Sequence, residues 1–300
     1  IKIALAGNPN CGKTTLFNAF TGANLKVANW PGVTVEKKEG STTYKGSKLK
    51  LIDLPGIYSL TSYSIEEKVS RQCIMSDDVD VIINIVDASS MERNLYLTMQ
   101  LLELGIPMVV ALNMMDELWE NGGSVLVNEM EEALGVPVIP ISAARGEGIE
   151  ELVRHAVHVA RYQEKPLEMD FCKKEEGIHR GIHAVMHLIE DHAAQAQVVT
   201  YDDTIEEKIA KLEVVIKARY PDASNLRWHA IKLLEYDEEV MNHHPVDVTA
   251  IIDRNYEKDI INQKYDYIEE VIEDCLFYKK EKLASTDRID EVLTHRIWGI

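Results

Sequence analysis

Gly7-Asn8-Pro9-Asn10-Cys11-Gly12-Lys13-Thr14 stands between the apolar run Ile1-Lys2-Ile3-Ala4-Leu5-Ala6 and a helix-forming stretch over residues 14–20. The pattern GxxxxGK[ST] leaves glycines where backbone N–H groups must approach phosphate oxygens, because a Cβ would stand in the way. Lys13 is then placed to reach the β- and γ-phosphates, and the Thr14 hydroxyl to ligate Mg²⁺. A strand running into the loop and a helix leaving it is the context the pattern needs. Gly7, Asn8, Asn10, Cys11, Gly12, Lys13, Thr14 and Thr15 are therefore the expected nucleotide contacts. Cys11 reads as a buried apolar filler of the loop rather than a redox thiol.

Outward from that loop, the first half of the chain alternates strands and helices. Residues 42–45 and 49–54 suggest a hairpin turned at Gly46-Ser47, and the runs 79–86 and 108–112 suit buried parallel strands. Leu95, Met99 and Leu102 recur at helical spacing ahead of Gly105. Residues 136–141, with two prolines, read as an edge strand, and 150–161 as a closing helix. The fold class expected is α/β, doubly wound. After Lys165-Pro166 the pattern becomes helical, with almost no strand signal. Ile178, Ile182, Val185 and Ile189 form one stripe; Ile205, Ile209, Leu212 and Ile216 form another. Residues 226–240 read as a further helix, 248–279 as nearly continuous helix, and Thr286-Asp287-Arg288 as the cap of a short last one. The expected division is an α/β domain over 1–165 and an all-α domain over 166–300.

Further motifs fall at strand ends, in an order that selects a nucleotide. Asp53-Leu54-Pro55-Gly56 offers a carboxylate to the Mg²⁺ shell and, at Gly56, an N–H to a γ-phosphate. Asn113-Met114-Met115-Asp116 offers a carboxylate that accepts from guanine N1–H and the N2 amino group, donors that adenine lacks there. Ser142-Ala143-Ala144 offers backbone N–H groups to guanine O6, and Thr34 lies in a loop able to close on Mg²⁺ and the γ-phosphate. Residues 1–161 thus resemble the P-loop GTPases. The resemblance implies a mixed six-stranded sheet, GTP and GDP as substrate and product, Mg²⁺ held by Thr14, Thr34 and Asp53, and mobile segments at 24–35 and 55–71 that respond to the γ-phosphate. Catalysis would rest on Asn10, Lys13, Thr34 and Gly56.

Departures from that pattern carry information. Ile57 follows DxxG where many GTPases have Gln, so its side chain cannot orient water, and hydrolysis is slow or uses another group. Asn10 resembles the asparagine of potassium-activated GTPases, which implies K⁺ held by Asn10 and by carbonyls of the 27–34 loop, at Ala28 and Trp30. Met114 replaces the lysine of N-K-x-D, which suggests guanine specificity kept by Asp116 with looser, faster-exchanging binding.

Asn29-Trp30-Pro31-Gly32-Val33-Thr34-Val35-Glu36, Asp53-Leu54-Pro55-Gly56-Ile57-Tyr58-Ser59-Leu60 and Asn113-Met114-Met115-Asp116 together resemble the cytosolic region of the bacterial ferrous iron transport protein B family. The helical half is similar to that family's guanine-nucleotide dissociation inhibitor domain, and residues 287–296 to the segment before its first membrane span. This implies a GTP-hydrolysing domain that regulates or gates an iron transporter at the cytoplasmic face of the inner membrane. The implied partners are the chain's own C-terminal iron-permease portion, small cytosolic accessory proteins and further copies of itself. Ile1 in place of an initiating Met fits a piece of a longer polypeptide.

Composition agrees. Three hundred residues with 46% hydrophobic and 27% charged content make an ordinary globular chain, and no apolar run is long enough to span a bilayer. A net charge of −18 weighs against a nucleic-acid partner, and hence against the rival of a stand-alone GTPase of ribosome assembly or tRNA modification. A nucleotide sensor without turnover shares every motif. Cys11, Cys73, Cys172 and Cys275 form no CxxC pair, which fits a reducing compartment. His179, His183 and His187 share a helix face but read better as boundary histidines than as metal ligands. Ser64-Ile65-Glu66-Glu67 reads as a capping box rather than an iron site.

Overall fold

The computed structural model describes residues 1–22, 25–61, 63–76, 78–162, 201–243 and 245–278. The first part runs β1 (Lys2–Gly7), α1 (Lys13–Thr21), β2 (Leu25–Asn29), β3 (Glu36–Tyr44), β4 (Ser47–Asp53), α2 (Ile65–Ile74), β5 (Val81–Asp87), α3 (Met91–Glu103), β6 (Met108–Asn113), α4 (Met115–Glu120), β7 (Gly123–Val125), α5 (Val127–Leu134), β8 (Val138–Pro140) and α6 (Ile149–Tyr162). The second runs α7 (Asp203–Arg219), α8 (Leu226–Leu234), α9 (Glu238–His243), α10 (Glu257–Cys275) and β9 (Leu276–Tyr278). The 165/166 boundary, the 178–189 stripe, the three histidines on it, Cys172 and the cap near Asp287 lie outside the described residues.

The main sheet has the order β2-β3-β4-β1-β5-β6-β8, and its β4, β1, β5, β6 and β8 are parallel. Strands β5 and β6 are buried at every residue, which is why their sequences are unbroken apolar runs rather than alternations. The sheet is mixed, as expected, but has seven strands rather than six. The addition is β2, antiparallel to β3 from Leu25 opposite Gly40 to Asn29 opposite Glu36, within the stretch expected to be a mobile loop. Its Val27 is 55% exposed, so β2 is held by its backbone ladder and leaves no apolar period to read. The β3–β4 hairpin turns at Lys45-Gly46, one residue earlier than expected, with φ of 45° and 81° as a two-residue type I′ turn requires.

One sheet face packs on α1 and α6 through Leu16, Phe17, Leu152 and Ala156. The other packs on α3 through Leu95 and Met99, and this core continues without a break into Ile205, Leu212, Trp228, Ile231 and Ile260 of the helical half. Polar contacts reinforce that seam. Lys264, with no exposed side-chain surface, lies 3.1 Å from Glu103, whose carboxylate also accepts from the Tyr201 hydroxyl. Tyr96 stacks on Tyr265 with centroids 5.1 Å apart. Strand β9 pairs antiparallel with β7, so the helical half adds a strand to the first domain. The second half is otherwise helical among the described residues, as expected; β9 is three residues long and is formed by a partner distant in sequence.

Two helix expectations also change. Residues 226–240 divide into α8 and α9 because Tyr236 takes φ 58° and the Asp237 carboxylate caps α9 by accepting from Val240 N at 3.0 Å. The 248–279 run becomes helical only at Glu257, whose N–H donates to the Asn255 side chain at 2.7 Å. Among the described residues no helix is long and apolar enough to cross a membrane.

Candidate nucleotide site

The residues singled out in the sequence converge at the C-terminal ends of β1, β4, β6 and β8, the crevice where open α/β sheets carry their ligands. The loop after β1 folds tightly: a Cβ on Gly7 would lie 2.8 Å from the Ile85 carbonyl oxygen, so only glycine fits. Gly12 takes φ 87°, and a Cβ there would lie 2.2 Å from Asn113 Nδ2. That amide group is the keystone of the site. Asn113 Nδ2 donates to the Cys11 carbonyl at 2.9 Å, and its Oδ1 accepts from Ala143 N at 2.9 Å. One buried side chain thus ties the phosphate loop to the Ser142–Ala144 loop. Asn113 serves the site as a brace.

Lys13 Nζ lies 2.8 Å from Asp53 Oδ1, with both side chains nearly buried. Thr14 and Thr15 open to solvent beside them, and Asn10 is exposed at the mouth of the loop with φ 65°. Asn8 is instead buried, its amide donating to the Arg93 carbonyl at 3.1 Å. That side chain anchors the loop to α3. Burial pushes the Cys11 thiol up to about 11, so it is a protonated filler and a poor nucleophile.

After Asp53 the chain crosses under the loop. Ile57 N donates to the Gly7 carbonyl at 3.2 Å, and a Cβ on Gly56 would press to 3.1 Å from Pro9 Cα. The Ile57 side chain is only 3% exposed and belongs to the core below the sheet. It is spent on packing. Ser64 caps α2 by accepting from Glu67 N, and Glu67 returns a bond to Ser64 N while also accepting from Ser59 and Thr61. Both Glu67 oxygens are therefore engaged in ordering this segment. Among the described residues no group of His, Cys, Asp or Glu is arranged to hold a metal ion.

Thr34 lies exposed on the turn between β2 and β3, away from Asp53 in sequence but on the same side of the sheet order. Ala28 sits inside β2 opposite Lys37; Trp30 N donates to the Val35 carbonyl at 2.9 Å, and Lys37 Nζ stands 4.6 Å over the Trp30 ring. After β6, Met114 has φ 62° and its Cε lies 3.9 Å from where a Cβ on Gly12 would stand. Ser142 is closed into a turn by mutual backbone bonds with Glu147, and Ala144 is exposed.

Two residues were missed by sequence reasoning. Arg145 Nε lies 3.1 Å from Asp116 Oδ2, although nothing but its place after Ser142-Ala143-Ala144 could have signalled it. Arg71 of α2 makes a fork to Asp237 at 2.8 and 3.3 Å and lies 4.6 Å over the Trp228 ring, joining the segment after Asp53 to the helical half. Burial opposes ionisation of Asp237, but the Arg71 guanidinium and the Val240 N–H override it and hold that carboxyl below its ordinary range.

A glycine cradle after β1, a carboxylate and DxxG turn at the end of β4, an asparagine brace at the end of β6 and a carboxylate at the start of α4 define a P-loop GTPase domain. The model of the family described as ferrous iron transport protein B matches residues 1–156, and that of the FeoB cytosolic helical domain matches 201–276. The chain belongs to the ferrous iron transport protein B family. It is 38% identical to the Fe(2+) transporter FeoB of Methanocaldococcus jannaschii over 98% of this chain and 42% of that protein. It is 33% identical to an Fe(2+) transport protein A/FeoB fusion protein of Porphyromonas gingivalis over 100% of this chain and 35% of that protein. The chain thus spans well under half the length of these relatives. Among solved structures, the GDP form II of the T. maritima FeoB cytosolic domain superimposes with TM-score 0.75 at 33% identity, covering 92% of this chain and 99% of that one. A GDP-bound A143S mutant of the S. thermophilus FeoB G-domain gives 0.76 at 36% identity, with the same coverage.

Proposed function

We propose that this chain binds GTP and GDP, hydrolyses GTP slowly, and through that cycle gates a ferrous iron transporter of which it is the cytosolic part. The observation that carries the reading is the pair of hydrogen bonds made by Asn113, which ties the phosphate loop to the Ser142–Ala144 loop on either side of the segment that leads to Asp116. The GDP-bound relatives lend support. Lys13 is the group for the β- and γ-phosphates, the Gly56 N–H for the γ-phosphate, Asp116 for the guanine edge and the Ser142–Ala144 amides for O6.

Thr14, Thr34 and Asp53 offer hydroxyl and carboxylate oxygens, the donor type that a hard divalent cation takes, and Mg²⁺ held there would neutralise phosphate charge. Asp53 Oδ1 lies 2.8 Å from Lys13 Nζ, which sets the carboxylate beside the phosphate loop where such a cation would sit. Asn10, with the carbonyls of Ala28 and Trp30, would hold K⁺. Since Ile57 is packed in the core, the attacking water must be oriented by backbone groups of the 53–60 segment or by the cation site. Relay to the helical half would run through Leu60 N, which donates to Gln100 of α3 at 2.7 Å, and through the Arg71–Asp237 fork. The P. gingivalis fusion favours an Fe(2+) transport protein A as partner, beside the membrane portion and further copies of the chain.

Phosphate release from GTP in matched KCl and NaCl tests this reading. Faster release in KCl is expected. Equal rates would remove the potassium site, and no release in either salt would reduce the domain to a nucleotide-binding switch.

A further inference from the structure

We propose that Arg145 competes with the nucleotide base for Asp116, so that this side chain sets how loosely guanine nucleotides are held. The inference rests on the assignment of Asp116 to the guanine edge and deepens it. The backbone of Arg145 is fixed, because its N–H donates to Ser142 at both the carbonyl, 3.2 Å, and the hydroxyl, 3.3 Å. From there the side chain reaches α4, where Asp116 and Glu120 share one face at i, i+4. Nε lies 3.1 Å from Asp116 Oδ2 and Nη2 lies 2.5 Å from Glu120 Oε1.

Asp116 is mostly enclosed, with 14% of its side chain exposed, whereas Arg145 is 49% exposed. Guanine needs both carboxylate oxygens, one for N1–H and one for the N2 amino group. One of the two is already taken by the guanidinium. A base approaching Oδ2 must compete with Nε for that oxygen, and the Glu120 contact keeps the guanidinium nearby. An exposed ion pair contributes little net free energy, so the competition should weaken binding by no more than roughly five-fold. The opposite sign is the outcome that would refute the competition. A cation beside an anionic ligand, or stacked on its base, would strengthen binding, and its removal would weaken it. The sign of the effect separates the two.

The test is GDP titration calorimetry with Mg²⁺ on the whole chain, comparing wild type with Arg145→Gln and Arg145→Lys. Arg145→Gln is expected to bind GDP roughly two- to five-fold more tightly at low salt, with the gap closing near 1 M salt, where the screening length falls to about 3 Å. Arg145→Lys, which retains the charge, is expected to stay near wild type. Equal or weaker binding by Arg145→Gln, a gap that persists at high salt, or a lysine variant that matches the glutamine variant would each overturn the proposal while leaving the nucleotide reading intact. Wild type that takes up no GDP would overturn both.

Discussion

Replacing Arg71 with alanine should separate the helical half from the segment that follows Asp53. Arg71 and Asp237 are 5% and 7% exposed in their side chains, so the pair is a buried one. Losing one partner of a buried ion pair costs about 3–5 kcal/mol, because the other charge is left without compensation. Asp237 keeps the Val240 N–H, which offsets part of that cost, while the Trp228 face loses a cation worth about 1 kcal/mol or more. These contributions share one guanidinium and do not add, so a loss of about 3 kcal/mol is expected. Urea unfolding of wild type, Arg71→Ala and Arg71→Met/Asp237→Asn would read it. The double variant removes both charges and keeps the volume, and should recover at least half of the loss. A single variant within about 1 kcal/mol of wild type, or a double variant worse than the single, would refute the reasoning.

Two further outcomes follow from the site and its surroundings. Gly12→Ala forces a Cβ into Asn113 at a left-handed backbone position, so about 2–4 kcal/mol of stability and GDP binding should be lost together, read by urea unfolding and calorimetry on the same sample. His155 is held down to about 4, first by burial and then by Arg154, whereas an unfolded histidine titrates near 6.5. The unfolded chain therefore binds the extra proton between those values, so stability is full above about 6.5 and falls as pH drops towards 4, by at most about 3 kcal/mol. His155→Phe should flatten that part of the pH profile of the urea midpoint, and an unchanged slope would remove His155 as its source.

The sheet core and the motif loops were legible because their signals are local. Buried parallel strands such as β5 and β6 must be apolar throughout, and a phosphate loop must carry glycines at fixed positions. The capping box at Ser64 was readable for the same reason. What escaped depends on partners far along the chain. Strand β2 has no buried face to announce it, and β9 exists only because β7 lies beside the end of α10. The break at Tyr236 is invisible in an apolar count, since the Asp237 carboxylate that starts α9 is also the partner of Arg71. Likewise, Asp116 was legible as a candidate base reader, but its engagement by Arg145 required the loop after β8 to turn back upon α4.

Purine choice tests the central claim most directly, because it depends on Asp116 and on the phosphate loop at once. Calorimetry with GDP and with ADP, each with Mg²⁺, is expected to show GDP bound and ADP at least about 100-fold weaker, since adenine presents no donor pair to Asp116 in place of the guanine N1–H and N2 amino group. Equal affinities for the two nucleotides, or no heat from GDP, would contradict it.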